Sequence, residues 1–153
     1  MKQTKTNAMR MLDRAKISYV LRPFPLDGQK AAVHLGIPED KLFKTLVTTD
    51  TMGGHFVFCI PTTQELDLKK AARAAGVKRI EMLKQKDLFP LTGYVHGGCS
   101  PVGMKKQFPT VLDASAENWD TILVSAGRVG MLMELSPAEL AAMVGATRES
   151  ITK

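Results

Sequence analysis

Leu42-Phe43-Lys44-Thr45-Leu46-Val47-Thr48-Thr49 is the stretch from which the architecture of this chain is read. Under a two-residue period Leu42, Lys44 and Leu46 share one face of an extended segment, and Phe43, Thr45 and Val47 share the other. Both faces are apolar around Lys44, which predicts a strand inside a sheet rather than at its edge. Asp50-Thr51-Met52-Gly53-Gly54 has the composition of a tight turn, and His55-Phe56-Val57-Phe58-Cys59-Ile60 reads as the returning strand, halted by Pro61. An antiparallel hairpin therefore stands at the centre. A lysine in such a strand has to find an acceptor, reach water along its own methylenes, or lower its pKa. The residues alone leave open whether Lys44 is a snorkelling cation or a functional one.

Outward from the hairpin, helical and extended patterns alternate. Ala8, Met11, Leu12 and Ala15 recur at helical spacing, and Ser18 to Arg22 reads as a short strand stopped by Pro23 and Pro25. Asp27 is placed to cap a second helix that Gly36 ends. Asp67 caps a predicted helix to Ala75, closed by Gly76, with Leu68, Ala71, Ala72 and Ala75 as its apolar side. Val77 to Met82 reads as a strand, and Lys84 to Leu88 as a helical turn before Pro90. Thr110 to Leu112 follows, then Asp113 and a polar turn around Glu117 and Asn118. Thr121-Ile122-Leu123-Val124 is a buried strand that Ser125-Ala126-Gly127 ends, with Gly130 to Leu135 as its hairpin partner. Ser136, Pro137 and Glu139 open a last helix with the signature of a capping box, and Gly145 closes it. The pattern predicts a mixed α/β fold with antiparallel pairing.

With 153 residues the chain has room for one domain and its core. Its net charge of +6 favours a polyanionic partner such as nucleic acid, although solubilising surface lysines account for the same total. The two cysteines, Cys59 and Cys99, form no CxxC pair, and the three histidines are scattered, so no metal site is expected. Nothing calls for a cofactor. The Lys- and Thr-rich start lacks an apolar leader core, and no apolar run reaches membrane-span length, so a reduced cytoplasmic protein is expected.

The chemistry-bearing stretch is Gly93-Tyr94-Val95-His96-Gly97-Gly98-Cys99-Ser100-Pro101-Val102-Gly103-Met104-Lys105-Lys106. Its glycines allow a backbone to approach a ligand closely, and two lysines follow at once. A long basic surface turn has the same composition. Gly98 and Gly103 have the spacing of a nucleotide-binding loop. Met104 in the lysine position and the absence of a following Ser or Thr exclude that chemistry. Lys69, Lys70, Arg73, Lys78, Arg79, Lys84 and Lys86 make the preceding region the most basic in the chain, a phosphate-contact candidate or a solvated face.

Phe43-Lys44-Thr45-Leu46-Val47, Leu68-Lys69-Lys70, Gly97-Gly98-Cys99-Ser100-Pro101-Val102-Gly103 with Lys105-Lys106, and Ser125-Ala126-Gly127 occur in the order that characterises the YbaK family. The chain resembles this family of Cys-tRNA(Pro) deacylases and free-standing relatives of the prolyl-tRNA synthetase editing domain from Lys16-Ile17-Ser18 to the last helix. The resemblance implies one domain over residues 1–153, with a mixed, partly barrel-like sheet flanked by helices. It implies a substrate too: the ester joining an amino acid to the terminal adenosine of a mischarged tRNA, with tRNA(Pro) as carrier and prolyl-tRNA synthetase as companion.

Carried over residue by residue, Lys44 matches the family's essential lysine and would orient the ester. Gly98 and Ser100 join it in the catalytic set. Phe24, Thr45, Gly97, Cys99, Pro101, Gly103, Ser125 and Gly127 are the substrate-binding candidates. Lys69, Lys70, Arg73, Lys105 and Lys106 would contact the acceptor stem through phosphates. In the cysteine-specific branch the substrate's own thiol attacks its carbonyl, so no protein nucleophile is required. Relatives acting on alanyl-tRNA use water. Phe24 replaces a tyrosine found in some cysteine-specific members, Cys99 replaces an aliphatic residue, and the segment between Pro25 and Leu35 is shorter than in some members. All three bear on which amino acid is removed. Two other readings stand beside deacylation of Cys-tRNA(Pro) or Ala-tRNA(Pro): a non-catalytic aminoacyl-tRNA-binding module, and an enzyme for a small phosphorylated or acylated metabolite.

Overall fold

The computed structural model describes residues 4–25 and 30–153. Helix α1 spans Asn7–Ala15, with the Thr6 hydroxyl accepting from the Met9 N–H at its start. It buries Ala8, Met9 and Leu12, while Met11 is only half-covered and Ala15 is exposed. Strand β1 is Val20–Pro23, two residues later than the pattern suggested, and α2 is Ala31–Leu35, ended by Gly36 in the left-handed region. The cap expected at Asp27 lies outside the described residues.

The central hairpin forms as its sequence dictates. β2 (Phe43–Asp50) pairs antiparallel with β3 (His55–Pro61), Lys44 opposite Ile60 and Val47 opposite Val57. Asp50 closes the turn, its Oδ1 accepting from the Met52 N–H at 2.8 Å and the Gly54 N–H at 2.6 Å. Helix α3 (Leu68–Ala75) begins where predicted, with the Asp67 carboxylate accepting from the Lys69 and Lys70 N–H groups. Those two bonds hold the Asp67 pKa below the ordinary carboxylate value. Ala71 and Ala72 are buried, but Leu68 is exposed.

β4 is only Ile80–Met82, and Val77 to Arg79 lie outside it. Helix α4, Gln85–Thr92, runs through Pro90, where the sequence suggested a stop. The hydrogen bond lost at Pro90 is offset nearby, where the Thr92 hydroxyl donates to the Leu88 carbonyl and the Gly93 N–H to that of Phe89, each at 2.8 Å. β5 (Thr110–Asp113), β6 (Ile122–Arg128), β7 (Met131–Leu135) and α5 (Pro137–Val144, with Ser136 accepting from the Glu139 N–H) follow the expected order. β8, Thr147–Glu149, was not expected. It is short, charged and exposed, so it lacks the apolar alternation that betrays a strand.

The strands make a mixed five-stranded sheet, β4-β2-β3-β5-β8, and an antiparallel three-stranded sheet, β1-β7-β6. Pairing is antiparallel through β4, β2 and β3 and parallel through β3, β5 and β8. The mixed α/β class predicted from the sequence is correct. Among the described residues a single parallel bridge, Leu42 to Leu123, joins the two sheets, and they do not close into a barrel. The main core lies where they face each other, around Phe43, Val57, Leu112, Ile122 and Met133. A second cluster, around Phe58, Ile60, Ala71 and Ile151, sits under α3.

Candidate active site

The two sheets diverge just beyond their bridge. β4 pairs with β2 only over Thr48–Asp50, and the Leu42 bridge ends at the other side, so among the described residues the edge of β2 from Phe43 to Leu46 has no strand partner. The interior strand expected from the sequence is thus interior over only half its length. A cleft of about 270 Å³ occupies the gap. Its walls are Phe43, Lys44, Thr45 and Leu46 of β2, Phe24 after β1, Ala31 of α2, Leu88 of α4, Ser125 of β6, Leu132 of β7, and His96, Gly97 and Cys99 of the glycine loop. This volume is near the lower end for small-molecule sites. A cleft this small admits a small ligand or the end of a larger one, not a folded macromolecule.

Lys44 is half-buried, and among the described residues its ammonium has neither a hydrogen-bond acceptor nor an ion-pair partner. The neighbouring charges are engaged elsewhere. Glu134 on β7 accepts from the Arg22 guanidinium, from Lys41 at 2.8 Å and from the Thr121 hydroxyl at 2.5 Å. The hydrogen bonds from Lys41 and then Thr121 hold its pKa down at about 2. This cluster ties β1 and β7 to the turn that precedes β2, and so sets the wall on which Lys44 stands.

The glycine loop is built around Tyr94. Its ring is buried and its hydroxyl donates to the Val102 carbonyl at 2.7 Å, closing the loop across its base. Burial pushes the phenol up to about 12, so it remains a donor. Gly103 has φ +85°, and a Cβ there would stand 2.7 Å from that hydroxyl and 2.8 Å from the Ala8 nitrogen. At Gly98 a Cβ would meet the Val129 nitrogen at 2.9 Å and the Arg128 carbonyl carbon at 3.1 Å. Only glycine permits these two backbone approaches.

Of the residues singled out in the sequence, Phe24, Lys44, Thr45, Gly97, Cys99 and Ser125 come together around the cleft. The others lie behind it. The Gly98 N–H donates to the Val95 carbonyl at 3.0 Å, so it closes the loop's own turn instead of facing a ligand. Ser100 is fully buried, its hydroxyl accepting from the Val102 N–H at 3.2 Å. Pro101 and Gly103 are buried with it. Gly127, at φ +100°, sits in an irregularity of β6 between Ser125 and Arg128. The Ser125 hydroxyl accepts from its N–H at 3.1 Å. β6 therefore continues through the motif expected to end it, and the bulge directs Ser125 toward the cleft.

Both thiols are free. Burial pushes each up to about 12, so Cys59 and Cys99 are protonated and neither is an activated nucleophile. Among the described residues no three His, Cys, Asp or Glu side chains converge as a metal site would require.

The basic residues divide. Lys69 and Arg73 line a larger groove of about 640 Å³ between α3 and β4, with Lys78, Arg79 and an apolar floor of Leu68, Ala72, Val77 and Ile80. It holds neither the loop nor Lys44, and its one carboxylate, Glu81, pairs with Arg79 at 3.2 Å. It offers positive charge without a group for ester chemistry. Lys70 points elsewhere and donates to the Thr152 carbonyl at 2.8 Å. Lys105 donates to the Pro90 carbonyl at 3.2 Å and lies over Phe89, while Lys106 lies over Phe108.

Tyr94, His96 and Leu88 are among the contributors that escaped sequence reading. Tyr94 stands among glycines as the one bulky anchor of the loop, which is a signal available in the sequence. His96 adjoins Gly97 but looked like one of three scattered histidines. Leu88 seemed to belong to a single helical turn.

The model of the aminoacyl-tRNA editing domain matches residues 27–143. The chain belongs to this family. The resemblance drawn from Lys44 and the glycine loop is therefore correct. Over 155 aligned residues, 98% of this chain and 94% of the other, it is 47% identical to an Enterococcus faecalis (strain ATCC 700802 / V583) protein described as "Putative Cys-tRNA(Pro)/Cys-tRNA(Cys) deacylase EbsC". A proline–tRNA ligase of Pelobacter propionicus (strain DSM 2379 / NBRC 103807 / OttBd1) is 26% identical over 100 residues, 65% of this chain and 17% of the ligase. Among solved structures, one described as "a putative trans-editing enzyme for prolyl tRNA synthetase" shares the fold, with a TM-score of 0.84, 24% identity and 99% coverage of both chains. Among the described residues no helix is long and apolar enough to cross a membrane.

Proposed function

We propose that this editing-domain protein cleaves the aminoacyl ester of mischarged tRNA in trans, with Cys-tRNA(Pro) as its substrate. The observation that carries the reading is the Lys44 ammonium, without a partner among the described residues, on the wall of a small, mainly apolar cleft. A cation left without a counter-ion in such a place is suited to an anionic or carbonyl-bearing ligand, here the ester and the terminal nucleotide. The apolar walls accept a small side chain, and the 47% identity to the E. faecalis protein supports cysteine. In this reading the substrate's thiol attacks its own carbonyl and the cleft holds it in reactive geometry. The whole chain, 1–153, works as one domain in the cytoplasm. Prolyl-tRNA synthetase is its partner, since a cleft of this size reads an aminoacyl end and not a tRNA body.

The test is a panel of charged tRNAs, including Cys-tRNA(Pro), Ala-tRNA(Pro) and Pro-tRNA(Pro), incubated with purified protein with and without prolyl-tRNA synthetase. Loss of Cys-tRNA(Pro) with Pro-tRNA(Pro) preserved is the expected result. An untouched panel in both conditions would refute the deacylase reading. Untouched substrates with retained tRNA affinity would point to a binding module instead.

A further inference from the structure

We propose that His96 is the proton-transfer group of the cleft, taking the proton released by the attacking nucleophile and returning it to the leaving ribose oxygen. The inference rests on the deacylase reading and adds a residue to it. Ester cleavage by the substrate's thiol forms an S–C bond and breaks a C–O bond. The proton lost from sulfur must reach the departing ribose oxygen, giving a thiolactone and a free hydroxyl with no change in oxidation state. Attack by water needs the same transfer and gives the free amino acid and the same hydroxyl. Something at the cleft has to hold that proton in between.

Among the described residues the cleft wall offers three ionisable side chains: Lys44 on β2, and Cys99 and His96 on the loop. An ammonium has no lone pair with which to accept. The Cys99 thiol is kept protonated by burial, at about 12. That leaves imidazole, the one side chain that both accepts and donates a proton readily near neutrality. His96 is exposed at the cleft mouth, so it exchanges protons with solvent between turnovers. Gly97, next to it, packs near the Val129 side chain, and the adjacent Arg128 guanidinium is engaged by the Thr4 carbonyl. From α4, Leu88 faces the cleft while Asp87 lines a separate hollow with His55. Beside α2, Lys30 pairs with Glu39 at 3.6 Å. Among the described residues Lys44 is therefore the one permanently charged side chain that shares the cleft wall with His96.

Single-turnover deacylation of Cys-tRNA(Pro) across pH, with wild type, His96→Gln and His96→Arg, tests this. Wild type should lose rate as pH falls. His96→Gln should lose about 100-fold in rate near neutrality with little change in KM, show its rise in rate displaced to the higher pH at which the substrate's own thiol ionises, and recover in part with free imidazole. His96→Arg, a cation with no accessible base form, should be as slow as His96→Gln. The substrate's thiol ionises with every variant, so the position of the limb is the readout: an identical pH midpoint in wild type and His96→Gln belongs to the substrate and overturns the proposal. A change confined to KM, or a near wild-type rate in folded His96→Arg, overturns it too. If wild type itself leaves Cys-tRNA(Pro) intact, the deacylase reading fails and this one falls with it.

Discussion

Lys41 and Lys44 stand three residues apart at the entrance to the same strand, and the molecule treats them in opposite ways. Lys41 ends in a cluster where Glu134 also receives Arg22 and Thr121, and every charge is met. Lys44 ends at the cleft, where none of the described residues meets it. A charge with good partners tightens the fold. A half-buried charge without them is held ready for something the protein does not itself contain. The contrast separates the machinery that places the cleft from the group that acts in it, and each side can be broken alone.

The largest effect should come from Lys44. Lys44→Ala should lower single-turnover deacylation about 100- to 1,000-fold, as when a positioned electrostatic group leaves an active site. Its thermal melt should stay near wild type, since no partner among the described residues is orphaned. Lys44→Arg keeps the charge but replaces a compact ammonium with a wide planar fork, and should also be strongly impaired. A near wild-type rate in either folded variant would make Lys44 a bystander.

Glu134→Gln should show the reverse pattern. Losing a carboxylate that gathers two cations and a hydroxyl should cost about 2 kcal/mol of stability, measured by urea unfolding at neutral pH. The sign with pH follows from the lowered pKa: the contribution is complete above the ordinary value of 4.5 and fades as pH falls toward about 2. Wild type should therefore lose more stability than Glu134→Gln across that acid window. Parallel unfolding curves would show that the cluster does not clamp the sheets. Remaining activity in Glu134→Gln should scale with its folded fraction.

The smallest effect carries the same contrast to the α3 surface. Lys70 is tied to the Thr152 carbonyl, whereas Arg73 lines the basic groove. If tRNA phosphates lie in that groove, Arg73→Ala should reduce the log–log salt slope of tRNA binding by about 0.7 to 0.9, and Lys70→Ala should leave it unchanged. Equal slopes for Arg73→Ala and wild type would remove the groove from the tRNA path.

Much of this protein was legible before its fold. The β2–β3 hairpin, the caps at Asp67 and Ser136, and the β6–β7 hairpin follow from local patterning, because their hydrogen bonds lie among near neighbours in sequence. The family was legible for a related reason: an ordered series of short motifs around Lys44 and the glycine loop survives as text. Local rules failed at Pro90, where a side-chain hydroxyl and a left-handed glycine sustain the helix, and at β8, whose strand partner is the distant β5.

Which of two similar residues faces the ligand was a different matter. The order Lys41, Lys44, Lys69, Lys70 contains nothing that says which ammonium finds a carboxylate or a carbonyl and which finds open space. Likewise Gly97, Gly98, Cys99 and Ser100 are consecutive, yet alternate members line the cleft while Gly98 and Ser100 are spent on the loop itself. The sequence alone determined the mixed α/β class, the family and the stretch where the chemistry lies. Tertiary structure alone decided the partners, because a partner such as Glu134 or Thr152 lies 82 to 93 residues away along the chain and is brought into reach only by the packing of the sheets and of α3.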